Sequence, residues 1–254
     1  MKSELNFTHF YGHSLPATCN PLFIFQILLF TFYIYPMEFT VTIIIVIITV
    51  LVSIGAFNNQ KIMDDLIFYP PAVSQRNQWY RFFSCGMIHA DWGHLIFNML
   101  ALYLFGRTVE AQFAEIFQEK GKPLYLLMYI VALAVSILPT YFKNKNNHQY
   151  RSLGASGAVS AVIFAGLLIA PYIEVYIFFI PIPIPGFVFA PLYLIISAIL
   201  DKKGAGNINH SEHIWGALFG LAFVIVLGKL IADFDAISYC IEGIKLYMRA
   251  KGWT

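Results

Sequence analysis

Apolar residues in this chain fall in long blocks, and all but two of the charged residues from position 40 to 232, Arg107 and Lys229 being the exceptions, lie in the gaps between them. A hydrocarbon layer about 30 Å thick takes about 20 apolar helical residues to cross, so these blocks read as membrane spans. Six fit: 40–57, 94–109, 123–141, 156–171, 186–200 and 213–232. The pattern predicts an all-α polytopic membrane protein, a bundle of six transmembrane helices. Between the first two blocks, "DDLIFYPPAVSQRNQWYRFF" mixes charges, paired prolines and aromatics, as expected of a first loop lying at the membrane interface. In "IFFIPIPIPGF" every second residue from Pro181 to Pro185 is proline. Regular helix is impossible there, and an extended lead into the fifth span is expected. After position 232 the tail (233–254) sets Ile237, Ile241, Ile244 and Met248 at helical spacing beside Lys245, Arg249 and Lys251. That is the pattern of an amphipathic helix on the membrane surface. At the other end, "PLFIFQILLFTFYIY" is apolar for only about 15 residues before Pro36, which is short for a span. Residues 1–36 are therefore set apart from a membrane domain over 37–232, with translation from Met37 as the expectation.

Composition agrees. The 254 residues are 59% hydrophobic and 12% charged, and the mean hydropathy is +0.68, far from the polar surface a soluble domain needs. The net charge of +2 comes from scattered basic residues, so no nucleic-acid partner is implied. Cys19, Cys85 and Cys240 are widely separated and show neither a disulfide framework nor a metal-ligand spacing. They read as buried thiols, and no cofactor is called for.

The polar residues near span ends are less scattered than they look. With six spans, the first, third and fifth loops lie on one side of the bilayer. "HADWGHLIFN" leads from the first loop into span two, "LGASGA" from the third into span four, and "INHSEHIWG" from the fifth into span six. His94, Asn98, Ser156 and His213 therefore all enter from that side within a turn or two. Each has an ordinary reading taken singly: a serine bonded to its own helix, an interfacial histidine, an interhelical hydrogen bond. Together they form a set able to do chemistry, since polar groups at membrane depth are costly unless they face the bundle interior. Ser156 needs a base, which His213 can be, and an acyl intermediate needs donors at its oxyanion, which His94 and Asn98, four residues apart on one helical face, can supply. Gly157 beside the serine permits a close helix approach, and Gly216 and Gly220 form a GxxxG on the helix that carries His213.

"GASG" followed by an apolar helix, "HADWGHLIFNM", "WYR" in the first loop and "HIWGALFG" on the last span, in that order, resemble the rhomboid family of intramembrane serine proteases over about residues 40–232. The resemblance implies a six-helix bundle with a water-filled, outward-open cavity and a serine–histidine dyad that lacks an acidic third member. It implies Ser156 as nucleophile, His213 as general base, His94 and Asn98 as oxyanion donors, and Gly154 as part of the serine signature. Trp79 and Arg81 match the family's Trp-Arg pair with Tyr80 inserted between them, and His89 and Glu110 match structural positions. The implied substrates are membrane proteins with a single helix that unwinds near small residues, and the implied setting is the plasma membrane of a bacterium.

Three other readings compete. A metal site could draw on His89, His94, His210 and His213 with Glu212 adjacent, yet the HExxH of intramembrane metalloproteases is missing. A silent relative that binds membrane clients has no need of the complete dyad and oxyanion set. A transporter would carry charges in mid-span, which are largely lacking. Basic residues fall on both sides, so charge does not orient the chain; an inside amino end follows from the resemblance alone. The oligomeric state has no signature in the sequence.

Overall fold

The computed structural model describes residues 39–177, 180–203 and 209–253. The expectations for residues 1–36 and for a start at Met37 lie outside them. Ten helices and a hairpin follow one another among the described residues: α1 (Val41–Asn58), α2 (Gln60–Leu66), α3 (Pro70–Arg76), α4 (Arg81–Ser84), α5 (Trp92–Phe117), α6 (Gly121–Asn144), α7 (Ser156–Ile169), β1 (Glu174–Ile177), β2 (Ile180–Pro185), α8 (Gly186–Lys203), α9 (His210–Ala232) and α10 (Ala236–Ala250).

Long helices start where a side chain can take up their free N–H groups. Asp91 Oδ1 accepts from the His94 N–H at 2.8 Å at the head of α5, and Asn209 and Asp235 do the same for α9 and α10. At α1 the acceptors come from two places. Thr40 Oγ1 accepts from Ile43 N–H at 3.2 Å, while the Glu110 carboxylate, from α5, accepts the N–H groups of Val41 and Thr42 at 2.8 and 2.9 Å. This explains why α5 runs to Phe117 instead of stopping near 109: Glu110 is no surface charge but a buried cap for a neighbouring helix. Thr42 Oγ1 donates to Tyr125 OH of α6 at 3.0 Å, so α1, α5 and α6 are fastened together at this point, around Gly106, whose missing side chain makes room for the Tyr125 hydroxyl.

Among the described residues, three helical stretches are long and apolar enough to cross a membrane: Val41–Asn58, Trp92–Asn144, which comprises α5 and α6, and His210–Ala232. α7 is apolar but shorter. Nearly all of its residues are buried, including Ala158, Ala161, Val162 and Ala165, which makes it the central helix of the bundle. Its 14 residues span only about 21 Å at 1.5 Å per residue, less than the length of α5, α6 or α9. Outer helices turn apolar side chains outward instead: Ile44, Ile47, Ile48 and Leu51 on α1 and Leu192, Ile195, Ile196 and Ile199 on α8 are all exposed. Such belts suit lipid contact and would be a liability in water.

One hairpin departs from the expectation of an all-α chain. The proline-rich lead is extended as expected, and it is β2 of an antiparallel hairpin, with Glu174 opposite Pro185 and Val175 opposite Ile184. Alternate prolines remove the N–H groups of one edge only, so the intervening residues still pair along the other. The first loop is folded into α2 to α4 and a 3-10 turn, Cys85–Met87. The tail is helical as expected, and it is also docked: Tyr247 OH and Lys251 Nζ each lie 3.1 Å from Glu174 Oε1 of the hairpin.

Candidate active site

The loop ahead of α7 is set by contacts from the first loop. Phe68 and Ser152 exchange backbone hydrogen bonds of 2.9 and 3.1 Å, and Gly154 N–H donates to the Cys85 carbonyl at 2.9 Å. Gly154 has φ +116, a conformation that L side chains rarely adopt, and a Cβ there would lie 2.6 Å from His94 Cε1. Glycine is required on both counts. The imidazole of His94 thus rests on the peptide two residues before Ser156. His89 holds the same turn from behind. Fully buried, it faces the Ala155 N–H through Nε2 at 3.5 Å and Ser53 Oγ through Nδ1 at 3.0 Å, and Ser53 in turn donates to the Met87 carbonyl. These partners are consistent with a neutral ring carrying its proton on Nδ1. Burial pushes the His89 pKa down to about 3, so the ring stays neutral over the working range.

Helix approach brings in the other side. A Cβ on Gly216 would fall onto the Gly157 carbonyl oxygen, and one on Gly220 onto that of Ala161. The GxxxG face of α9 therefore lies directly on the backbone of α7, one turn below the level of Ser156 and His213. Ser156, His213, His94 and Asn98 all line one open cavity of about 1220 Å³. Ser156, His94 and His213 are half-buried and Asn98 is buried. Asn98 Nδ2 donates one hydrogen to the His94 carbonyl at 3.0 Å, which leaves its second for the cavity. The N–H groups of Ser156, Gly157 and Ala158 precede the first hydrogen bond of α7, Val159 N–H to Ala155 C=O at 2.9 Å, and so have no partner within the helix. Among the described residues no hydrogen bond of 3.5 Å or less joins Ser156 to His213; such bonds often tighten only when substrate is bound.

Trp79 and Arg81 lie away from the cavity. Arg81 is buried and staples the first loop, donating from Nη1 to the carbonyls of Asp64 and Ile67 and from Nε to Gln78 Oε1. Trp79 stacks on Phe82 with ring centroids 6.0 Å apart. Among the described residues no group of three His, Cys, Asp or Glu side chains is arranged to hold a metal ion.

Two features of the wall had no signal in the sequence. Tyr193 of α8 stacks against His213, rings 6.4 Å apart and 24° from parallel, and its hydroxyl meets Ser160 Oγ at 3.4 Å. Opposite, Thr140, Tyr150, Asn209 and Glu212 form a buried polar cluster at the junction of α6, the loop before α7 and α9. In so aromatic a chain nothing singles out one tyrosine, and the cluster joins residues 72 positions apart.

The family model described as the Rhomboid domain matches residues 76–230, more than half of the chain. Among curated relatives, RHOMBOID-like protein 12, mitochondrial, of Arabidopsis thaliana is 28% identical over 66% of this chain and 52% of its own length. Rhomboid-like protein 11, chloroplastic, of the same plant is 28% identical over 59% of this chain and 53% of its own. Rhomboid protease GlpG of Haemophilus influenzae is 25% identical over 66% of this chain and 81% of its own. The chain spans about half the length of the two plant relatives.

Proposed function

The chain belongs to the rhomboid family, and we propose that it is an intramembrane serine endopeptidase that cleaves transmembrane segments of other membrane proteins with a Ser156–His213 dyad. One observation carries the reading: His94 and Asn98 of α5, Ser156 of α7 and His213 of α9, 119 positions apart at the extremes, line one open cavity. The proteolytic unit is 37–232, with α1, α5, α6, α7, α8 and α9 as its six spans.

In this reading Ser156 Oγ attacks the scissile carbonyl carbon while His213 takes the hydroxyl proton. The oxyanion is met by the His94 ring, the second Asn98 amide hydrogen and the orphan N–H groups at the head of α7, all fixed before substrate arrives. Collapse of the intermediate breaks the C–N bond, and His213 returns the proton to the leaving amine. A water then attacks the ester by the same route in reverse roles.

Carbonyl placement depends on a substrate helix that unwinds, so single-span proteins with small residues near the cleaved bond are the proposed substrates. The chain is a membrane protein, and the plasma membrane of a bacterium is the proposed location. The names of the plant relatives point to organelles instead, and fractionation of the native source decides between the two. The activity is tested by labelling the purified protein with a fluorophosphonate. Labelling of the wild type at Ser156, and none in Ser156→Ala, is expected. An unlabelled wild type would identify a silent binder of membrane clients.

A further inference from the structure

The proposed reaction leaves one buried ionisable group of the cavity wall without a task. Glu212 precedes His213 in the first turn of α9, is 4% exposed and lines the same cavity as Ser156. A carboxyl buried at such a place is costly unless something compensates it. The ion pairs of the described residues, Lys229–Asp233, Lys245–Glu242 and Lys251–Glu174, all lie elsewhere. Its partners are neutral. Asn209 Nδ2 donates to Glu212 Oε2 at 3.2 Å. The same Asn209 nitrogen reaches Thr140 Oγ1 at 3.1 Å and Tyr150 OH at 3.3 Å, while Asn209 Oδ1 caps the Glu212 N–H at 3.3 Å. The side-chain carbons also bear on the serine helix, for a Cβ on Gly157 would lie 2.8 Å from Glu212 Cγ.

One carboxyl thus joins the start of α9 to the end of α6 and to the loop that delivers Ser156. Tyr150, which the Asn209 amide reaches, lies six residues before Ser156, and His213 directly follows Glu212, so the two halves of the dyad are linked through this pair from behind. We propose that Glu212 is a positioning residue: by holding the Asn209 amide that reaches Tyr150, it ties the first turn of α9 to the loop before α7 and sets the separation of His213 from Ser156. The inference rests on the dyad reading given above. Apolar contact alone would hold the helices together, as Gly216 and Gly220 already do; the polar link adds a fixed register at the level of the reacting atoms.

The test uses the full chain reconstituted in lipid vesicles, with active sites counted by fluorophosphonate so that rates refer to folded protein. Glu212→Ala should lower kcat about 30- to 100-fold and leave KM within about threefold, as expected for a displacement of about 1 Å between reacting groups. Glu212→Gln keeps an acceptor for Asn209 and should return kcat to within about threefold of the wild type. Asn209→Ala cuts the link from its other end, so the double variant should be no slower than Glu212→Ala alone. Should Glu212→Ala fail to insert, Asn209→Ala, which leaves the carboxyl in place, carries the same expectation for kcat. A wild-type kcat in the Ala variants, a Gln variant as slow as Ala, or losses confined to thermal stability would overturn the positioning role. A wild type that neither labels nor cleaves would remove the dyad itself, an outcome distinct from all of these.

Discussion

Asn98 uses one amide hydrogen on the carbonyl of its own helix and keeps the other for the cavity, a division that suits the oxyanion-donor role proposed for it. The anchored hydrogen fixes the rotamer, so a charge developing in the proposed transition state would be met without reorganisation. Asn98→Ala should lower kcat about 100- to 1000-fold with little change in KM, measured on one substrate beside Ser156→Ala as the zero. A raised KM at unchanged kcat would make Asn98 a substrate-binding residue instead. The i,i+4 pair His94 and Asn98 and the GASG turn were legible in the sequence, because local spacing encodes them. Tyr193, which stacks on His213, and Glu212, which is clustered with Asn209, Thr140 and Tyr150, were not. Their meaning comes only from partners on other helices.

Between elements, the approach of α9 to α7 matters most to the proposed site. α9 lies on α7 with no side chain between Gly216 and the Gly157 carbonyl, so even one methyl must separate the two helices that carry Ser156 and His213. Gly216→Ala should cost about 100-fold in kcat, since about 1 Å of misplacement is felt at that level, whereas the same change at Gly55, whose Cβ would meet only Ile62 at 3.8 Å, should be silent. Equal rates in both variants would mean that the helices yield without disturbing the cavity. Helix positions followed from apolar block length, but their ends did not. α5 passes Glu110 because α1 satisfies its carboxylate, a long-range fact that no window of sequence contains. The alternating prolines ruled out helix and left open what the segment pairs with. The answer is β1, whose Glu174 also receives Tyr247 and Lys251 of α10.

Among the described residues, a cavity lined by Ser156 and His213 lies between helices whose outer faces carry exposed apolar side chains, around a central helix of 14 residues. Family membership was legible from motif order, and the resemblance implied an open cavity; the share of its wall given by Tyr193, Asn209 and Glu212 was not, because it is assembled from partners on other helices. On the proposed reading this cavity hydrolyses peptide bonds within the membrane. The direct measurement is cleavage of a single-span substrate with small residues in its helix, co-reconstituted in vesicles, with the cut bond located by mass spectrometry. The wild type should cut at one bond inside or at the edge of the apolar segment, and both Ser156→Ala and His213→Ala should give no product above background. Cleavage that persists in Ser156→Ala, or a wild type that binds the substrate and leaves it whole, would contradict the account.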